Sequence, residues 1–500
     1  MFFSKSKYCG FWQCPKMTWL DKYKPEEKVI ESDEVQYKIG HQVGEMAKTL
    51  FGNYVDTTVV KEDGKLDISA MIKNTEEEIA KGTENICEAA FSYSGLYCAV
   101  DILHKEKGGY AIYEVKSSTK KEDEEPNYIY MVDIAYQKYV LEKSGITVTG
   151  TYLVQLNKHY VRQGDIDVKQ LFFIQDVSRF IQEEYEKIDD NIAEAERVLN
   201  SAEEPDIDLS SKCTKPYKCA FWQYCAKRLP EHNVFDLYYY KSKFKRYAEN
   251  IISFDDLLNS KINLSDVQRR QIEFSKKGDD DIYFDKLGIK SFLSTLSYPL
   301  YFLDFETMQS AIPQFDGTTP YQQIPFQYSL HYIEKEGGEL HHKEFLAVSG
   351  ENPLRKIAES LCENIPQNVC TLAYYKSFEC GRLEELAKLF PDLSEHLTNI
   401  KDNVKDLLVP FQEGFYYKKA MGGSFSIKSV LPAIFPDDPA LNYHNLDGVH
   451  NGSEAMEIFP RIKDMPTNEQ EKARENLLKY CELDTLAMVK VLEELKRVVK

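Results

Sequence analysis

The sequence predicts an α/β protein built from two globular domains, residues 1–231 and 297–500, joined by a helical connector over 232–296. Three observations carry that reading. Amphipathic stretches at helical spacing alternate with short β-branched and aromatic runs in both halves. Several of those runs pair around glycine turns, as hairpins do. The composition, 43% apolar and 29% charged with no apolar run near eighteen, suits core-forming domains and offers no membrane span.

The first clear helix is "SDEVQYKIGHQVGEMAKTLF", residues 32–51, where Val35, Ile39, Val43, Met46, Ala47 and Leu50 recur at helical spacing. "GLYCAVDILHKEKGGYAIYEVKSST" then reads as two strands about the turn "KEKGG", whose glycines supply positive φ. Asp101 lies on the first strand, and Glu114 and Lys116 share one face of the second. Pairing of the strands can set Asp101 beside them. Two carboxylates and a lysine on one sheet face can hold a divalent cation and steady an attacking hydroxide, although an isolated Glu-x-Lys is also common as solvated surface. A helix, "YMVDIAYQKYVLEKSG", and a strand, "TVTGTYLVQL", follow.

An acidic helix, "NIAEAERVLNSAEEPDIDLS", leads into "KCTKPYKCAFWQYC", in which Cys213, Cys219 and Cys225 are separated by five residues each. Three thiolates make an incomplete set of metal ligands. Eleven cysteines at irregular spacing are no secreted disulfide framework, and "MFFSKSKYCGFW" lacks the apolar core of a signal peptide, so a cytoplasmic location is expected. A net charge of -19 argues against a non-specific nucleic-acid coat or a membrane-surface protein, yet leaves room for acidic metal sites and a local basic groove. "YYYKSKFKRY", residues 238–247, is the densest mixture of bases and aromatics; it suits phosphates and stacked bases, or a solvated helix face.

After the breaker "LPEHN", the connector shows two short helices opened by Ser or Asn caps, "SFDDLL" and "NLSDVQRRQIEF". "YFLDFETM" then begins the second domain as a buried strand that projects Asp304 and Glu306 from one face. "IPFQYSLHYIEKEGGELHHKEFLAV" adds a hairpin, giving three antiparallel strands. In "YCELDTLAMVKVLEEL", Tyr480 and Asp484 are four apart on an amphipathic helix and face the same way. Several carboxylates so arranged suit a pair of divalent cations that clamp the attacking and leaving oxygens of a phosphodiester.

The pattern D-x12-EVK, with the helix and strand after it, resembles the RecB-type nucleases of the PD-(D/E)xK restriction-endonuclease-like superfamily. In their iron-sulfur members, such as the CRISPR adaptation nucleases and the AddB subunit, three cysteines after the core join one near the N-terminus around a 4Fe-4S cluster. That resemblance implies Cys14, in its Cys-Pro context, rather than Cys9, as the partner of Cys213, Cys219 and Cys225; zinc is the rival metal. It also implies a metal site of Asp101, Glu114 and Glu45, with Lys116 and Gln137 catalytic. Two departures stand out. Gly44 occupies the usual place of a histidine on the first helix, with Glu45 and His41 beside it, and Gln137 is followed four residues later by Leu141 instead of tyrosine.

The second domain resembles the DnaQ-like, or DEDD, exonucleases of the RNase H-like fold. Their Asp-x-Glu motif corresponds to Asp304 and Glu306, and "YCELDT" to their Tyr-x-x-x-Asp, in which Tyr480 orients the attacking water and Asp484 binds metal. "TLAYYKSFECGRLEELA" is similar to their second motif with Tyr375 and Glu379 in place of Asn and Asp, while Asp406 and Asp402 compete for the fourth carboxylate. The whole is similar to an uncharacterised bacterial family that fuses the two domains and carries "DFET", "FQYSLH" and "SFE". The resemblance implies a Mg²⁺- or Mn²⁺-dependent nuclease acting 3′ to 5′ on single-stranded ends, with nucleic acid as partner and DNA ahead of RNA. Two alternatives remain: a nucleic-acid-binding scaffold with an inactive first centre, and a hydrolase of small phosphodiesters using the second centre alone.

Overall fold

The computed structural model describes residues 3–29, 34–120, 125–278 and 281–500, and the fold is mixed α/β. Two compact units are present: Met1–Arg228 with Ser310–Gln322, and Leu229–Gln309 with Gln323–Lys500. Residues 232–296, read from the sequence as a connector, thus cluster with the second unit, and a short piece of the second half, 310–322, clusters with the first. Among the described residues no helix is long and apolar enough to cross a membrane.

The first unit is a seven-stranded sheet between helical layers. In chain order its strands are β1 (Phe3–Ser4), β2 (Val55–Asp56), β3 (Asn85–Tyr93), β4 (Leu96–Glu106), β5 (Gly109–Thr119), β6 (Val148–Leu156) and β7 (Phe172–Asp176). They lie in the order β2-β3-β4-β5-β6-β7, with β1 on β4. β4 and β5 form the hairpin expected from "KEKGG", turning at Gly108 with φ 96°, and β6 returns parallel to β5. β5 leaves the first residues of β4 unpaired on one side, and β1 occupies that edge through Phe3↔Leu96 and Ser4↔Tyr97.

Alternation along the strands decides what each face meets. Ile112 and Leu153 share a core with Ile129, Val132, Tyr136 and Val140 of α5 (Tyr128–Lys143), whereas Ala111, Tyr113 and Val154 pack with Val43, Ala47 and Leu50 from the other side. Val43 and Ala47 belong to α3 (Glu34–Ala47), while α4 (Ile68–Lys81) packs Met71 against Ala90 of β3. The apolar stripe of α3 takes hold only from Ile39 onward: Val35, expected on the buried face, is exposed, and Ser32 and Asp33 lie outside the described residues. By parity Glu114 and Lys116 face α5.

The second unit holds a five-stranded sheet in the order β11-β10-β9-β12-β13. Here β9 (Leu300–Met308), β10 (Ile324–Ile333) and β11 (Leu340–Leu346) are antiparallel, as the hairpin pattern predicted, while β12 (Cys370–Ala373) and β13 (Val404–Asp406) continue the sheet parallel to β9. The helix Thr467–Val499 is fastened to this sheet by its buried face: Gln327 Nε2 donates to the Leu477 carbonyl at 2.8 Å, and Thr485 Oγ1 meets Ser329 Oγ at 2.6 Å and His331 Nδ1 at 2.7 Å.

Helix Phe254–Asn259 forms where the sequence placed it, capped by Ser253, and Asp266–Ser275 forms within "NLSDVQRRQIEF" but is opened by a capping box from Ser265 instead of Asn263, because Ser265 pairs with Gln268 three residues on. The second carries Gln271, which is buried and donates to the carbonyls of Asp236 (2.9 Å) and Gly422 (3.3 Å), bracing two loops together. Gly423 sits against that amide with φ 80°, and a Cβ there would lie 2.4 Å from Gln271 Nε2. Gly423→Ala is therefore expected to cost at least about 1 kcal/mol, from the left-handed backbone alone, and to lower the urea midpoint of unfolding.

Candidate active sites and cysteine cluster

In the first unit the structure brings Asp101, Glu114, Lys116 and Gln137 together. Lys116 Nζ donates to Glu114 Oε1 at 2.6 Å and to Asp133 Oδ2 at 3.0 Å. Gln137 Nε2 donates to Glu114 Oε2 at 2.7 Å and to Asp133 Oδ1 at 2.9 Å, and Asp101 accepts from the Val115 amide at 2.7 Å. Asp133 and Gln137 are four apart on α5, so they present to the sheet side by side. That spacing was readable, and Asp133 is the acid the sequence reading passed over.

Lys5 is the second residue it missed. β1 ends at Ser4, so the next side chain falls over the centre: Lys5 Nζ lies 3.2 Å from Glu114, and 4.0 Å from Asp101 and Asp133. Glu88, with φ 53°, sits where the β3–β4 ladder skips the position opposite Asp101, and adds a further negative charge there. Burial, with the charges of Asp101 and Asp133, pushes Glu114 up to about 7. Burial would also raise Asp133, but Lys5 and Lys116 outweigh it and hold that carboxyl below the usual range. Lys116, despite burial, is pushed well above its ordinary value by Glu114, Asp133 and Asp101.

Glu45 is not drawn into this group. It is exposed and pairs at 2.5 Å with Lys48, one helical turn on, which also holds Asp56 at 2.7 Å; His41 is exposed as well.

Cys14 breaks the chain between α1 (Lys5–Gln13) and α2 (Pro15–Tyr23), with Pro15 opening the second helix. The break faces the cysteine loop: Gln13 Nε2 donates to the carbonyls of Lys212 and Tyr217, both at 2.8 Å, and Trp19 and Leu20 form a small core with Cys219 and Phe221. Cys14, Cys213, Cys219 and Cys225 lie within each other's electrostatic reach, and burial pushes the Cys219 thiol up to about 11. Cys9 instead neighbours Asp133 and Lys116. The described groups whose ligand atoms approach within 4.8 Å of one another are His331, His342 and Glu482, and Asp304, Glu306 and Cys481.

In the second unit Asp304 and Glu306 leave β9 on one face, within electrostatic reach of Asp484 of the C-terminal helix and Glu379 of the helix Ser377–Leu389. Glu306, Glu379 and Asp484 are buried, and Glu379 Oε2 has no hydrogen-bond partner. Burial and the mutual repulsion of these acids push Asp304 well above its ordinary value, and Glu306 and Glu379 up to about 8. Tyr443, which no sequence pattern indicated, donates to Asp484 at 2.6 Å, and Cys481 Sγ lies 4.0 Å from Asp304 Oδ2.

Tyr480, expected to orient a water, has its hydroxyl engaged by Asp484 and by Lys428 Nζ, the latter at 3.0 Å. Asp406 serves the backbone: its carboxylate accepts from the amides of Tyr375 (2.9 Å), Lys376 (3.1 Å) and Leu408 (3.0 Å). It faces Glu379 only as a neighbouring charge, and Asp402 is exposed at the end of its helix.

The family model "Domain of unknown function (DUF2779)" matches residues 301–426, which hold Asp304, Glu306, Glu379 and Asp406. The chain is 28% identical over 221 residues to "Uncharacterized protein MG366" of Mycoplasma genitalium, covering 40% of this chain and 32% of that protein. It is 26% identical over 300 residues to "Uncharacterized protein UU173" of Ureaplasma parvum (55% and 42%). With the "Uncharacterized protein MG366 homolog" of Mycoplasma pneumoniae it shares 23% identity over 455 residues (79% and 68%). The chain thus spans about a third to two-fifths of the first two relatives' length. No solved structure matches it.

These burials set a pH dependence. Folded and free of metal, the protein holds protons on Glu306 and Glu379 up to about pH 8 and on Glu114 to about 7, whereas the unfolded chain releases them near 4.5. The folded state then binds the more protons, so stability falls as pH rises toward 8. His331, held near 4 by burial, gives an opposite slope only below 6.5. In EDTA the melting temperature should drop between pH 6.5 and 8, and Glu306→Gln should flatten that drop; an unchanged slope would show that these acids are not buried together.

Proposed function

We propose that the chain is a metal-dependent nuclease whose second unit hydrolyses phosphodiester bonds at single-stranded ends. The observation that carries the reading is the convergence of Asp304, Glu306, Glu379 and Asp484 from one strand and two helices with so little compensating positive charge. Lys428 and Arg382 are the cations that oppose it, and Lys428 is exposed. Buried like charges so close together repel unless protons or cations occupy them. An unpartnered carboxylate oxygen on Glu379 and four carboxylates fit Mg²⁺ or Mn²⁺, while burial keeps the neighbouring Cys481 thiol protonated and a poor ligand.

When bound, such ions neutralise phosphate charge and acidify water. The chain's own part is positional. Tyr443 and Tyr480 fix the Asp484 carboxylate through their hydroxyls, and burial keeps the Tyr480 phenol protonated, a donor throughout the physiological range. Lys428 holds that phenol from the open side and presents a positive charge to an incoming phosphate. The five-stranded sheet, three antiparallel strands followed by two parallel ones, supports the RNase H-like, DEDD assignment.

For the first unit, the β4–β5 hairpin with Asp101, Glu114 and Lys116 supports a PD-(D/E)xK assignment. Lys5 favours a second reading of this centre: its ammonium already neutralises Glu114, so the site can grip phosphates without cutting. The gathered cysteines suit a 4Fe-4S cluster held by Cys14, Cys213, Cys219 and Cys225, because Gln13 and Trp19 draw the Cys14 break onto the loop that carries the other three. Bound there, it would fasten the N-terminal helices to residues 211–226. We further propose a cytoplasmic setting.

Mn²⁺-dependent shortening of end-labelled single strands tests the reading. Asp304→Asn should reduce it at least about 100-fold, the scale of losing a transition-state charge contact, and should abolish the rise in melting temperature that Mn²⁺ gives the wild type. Unimpaired shortening by Asp304→Asn combined with Lys116→Ala would defeat it. Lys5→Ala should raise whatever cleavage Lys116 supports if Lys5 blocks a metal. Protein purified without oxygen should carry about four irons per chain, lost in Cys219→Ser; stoichiometric zinc without iron would overturn the cluster.

A further inference from the structure

We propose that a cleft lined by Tyr238, Tyr239, Tyr375, Phe425 and Lys428 is a stacking platform for unpaired bases of a single-stranded nucleic acid, whose backbone runs from it to the carboxylates around Asp304. The placement rests on the hydrolytic reading of that centre. The cleft measures about 810 Å³, within the range of ligand sites, about 300–1,000 Å³.

Two of its rings combine high exposure with a left-handed backbone. Tyr239 is 79% exposed and Tyr375 60%, and both have left-handed backbone, φ 48° and 70°. That conformation is costly for a residue with a Cβ, and a large exposed aromatic returns nothing to the core. Both are nevertheless held in place. The Tyr238 ring packs on Tyr239 and on Phe425, each with centroids 4.5 Å apart, while its amide donates to the buried Gln271 at 2.9 Å. The Tyr375 and Lys376 amides are anchored by Asp406. Strained, clamped backbone beneath exposed rings is a preorganised surface, and an aromatic face accepts any base.

Lys428 gives the cleft its direction. It is exposed on the cleft wall, and its Nζ reaches the Tyr480 hydroxyl, which bonds Asp484. One side chain thus borders both the aromatic cleft and the acids, a path along which phosphate would pass a positive charge before reaching the carboxylates. Tyr238 and Tyr239 open the stretch "YYYKSKFKRY", whose lysines add local positive charge in a chain of net charge -19. Tyr375 occupies the position where the DEDD pattern has asparagine, which explains why the acid motif alone did not reveal its role.

The test is fluorescence anisotropy with the full chain in Ca²⁺, using a short fluorescein-labelled oligothymidylate, the matching oligouridylate and an abasic strand of the same length. Base stacking predicts that Tyr239→Ala and Tyr375→Ala each weaken binding of the oligothymidylate by about fivefold or more, that Tyr239→Trp restores it, and that melting temperatures hold. The abasic strand should bind weakly to the wild type and be indifferent to the tyrosines. Comparison of oligothymidylate with oligouridylate reads whether DNA or RNA supplies the bases. Undiminished binding by the double variant, or an abasic strand bound as tightly as the oligothymidylate, overturns the cleft. Tyrosine-dependent binding by a wild type that leaves strands intact in Mn²⁺ supports the cleft and defeats the hydrolytic reading.

Discussion

The constraint on which the second unit turns is the burial of several carboxylates at one place. Asp304 and Glu306 are set by the pleat of β9, Asp484 by a helix locked to the same sheet through Thr485 and Gln327, and Glu379 by the first turn of the helix after β12. None can move away without unseating its element. Burial and mutual repulsion must then be relieved by protons or by cations, because the leading opposing charges are Lys428, which is exposed, and Arg382. A fold that needed only stability would replace such a group with apolar side chains.

The first centre relieves much of the same repulsion internally. Lys5 and Lys116 offset most of the charge of Asp101, Glu114 and Asp133, and Gln137 donates to both Glu114 and Asp133. Removing either lysine would leave a buried carboxylate short of its partner, so Lys5 is a structural counter-ion whether or not the site also acts on phosphates. Its delivery depends on β1, two residues that complete the edge of β4. Phe3 and Ser4 are therefore built into the sheet that carries the acids.

Local periodicity made much of this legible in the sequence. Alternation of two placed Asp304 with Glu306 and Glu114 with Lys116, and helical spacing placed Tyr480 with Asp484, because these pairs are fixed within one element. The same rule applied to α5 would have given Asp133 with Gln137; the expected Gln-x-x-x-Tyr pattern drew attention forward from Gln137 instead of back. Lys5 and Tyr443 had no such signal, since a lone lysine or tyrosine acquires its role only from partners about a hundred or about forty residues away. Glu45 and Asp406 show the opposite failure. Both are acids in reasonable positions, but a lysine one turn away and three nearby backbone amides engage them first, as local bonds readily do.

Asp406 also links the backbone to the surface chemistry of the second unit. By holding the Tyr375 and Lys376 amides it ends β12 in a turn that turns Tyr375 outward with positive φ, and the next turn of chain begins the helix that places Glu379 inside. One carboxylate thereby sets an exposed ring and a buried acid only four residues apart in sequence on opposite sides of a turn. Acid and ring are consequently coupled: a substitution at Asp406 would shift both together, whereas changes at Tyr239, held instead through Tyr238 and Gln271, would leave Glu379 in place.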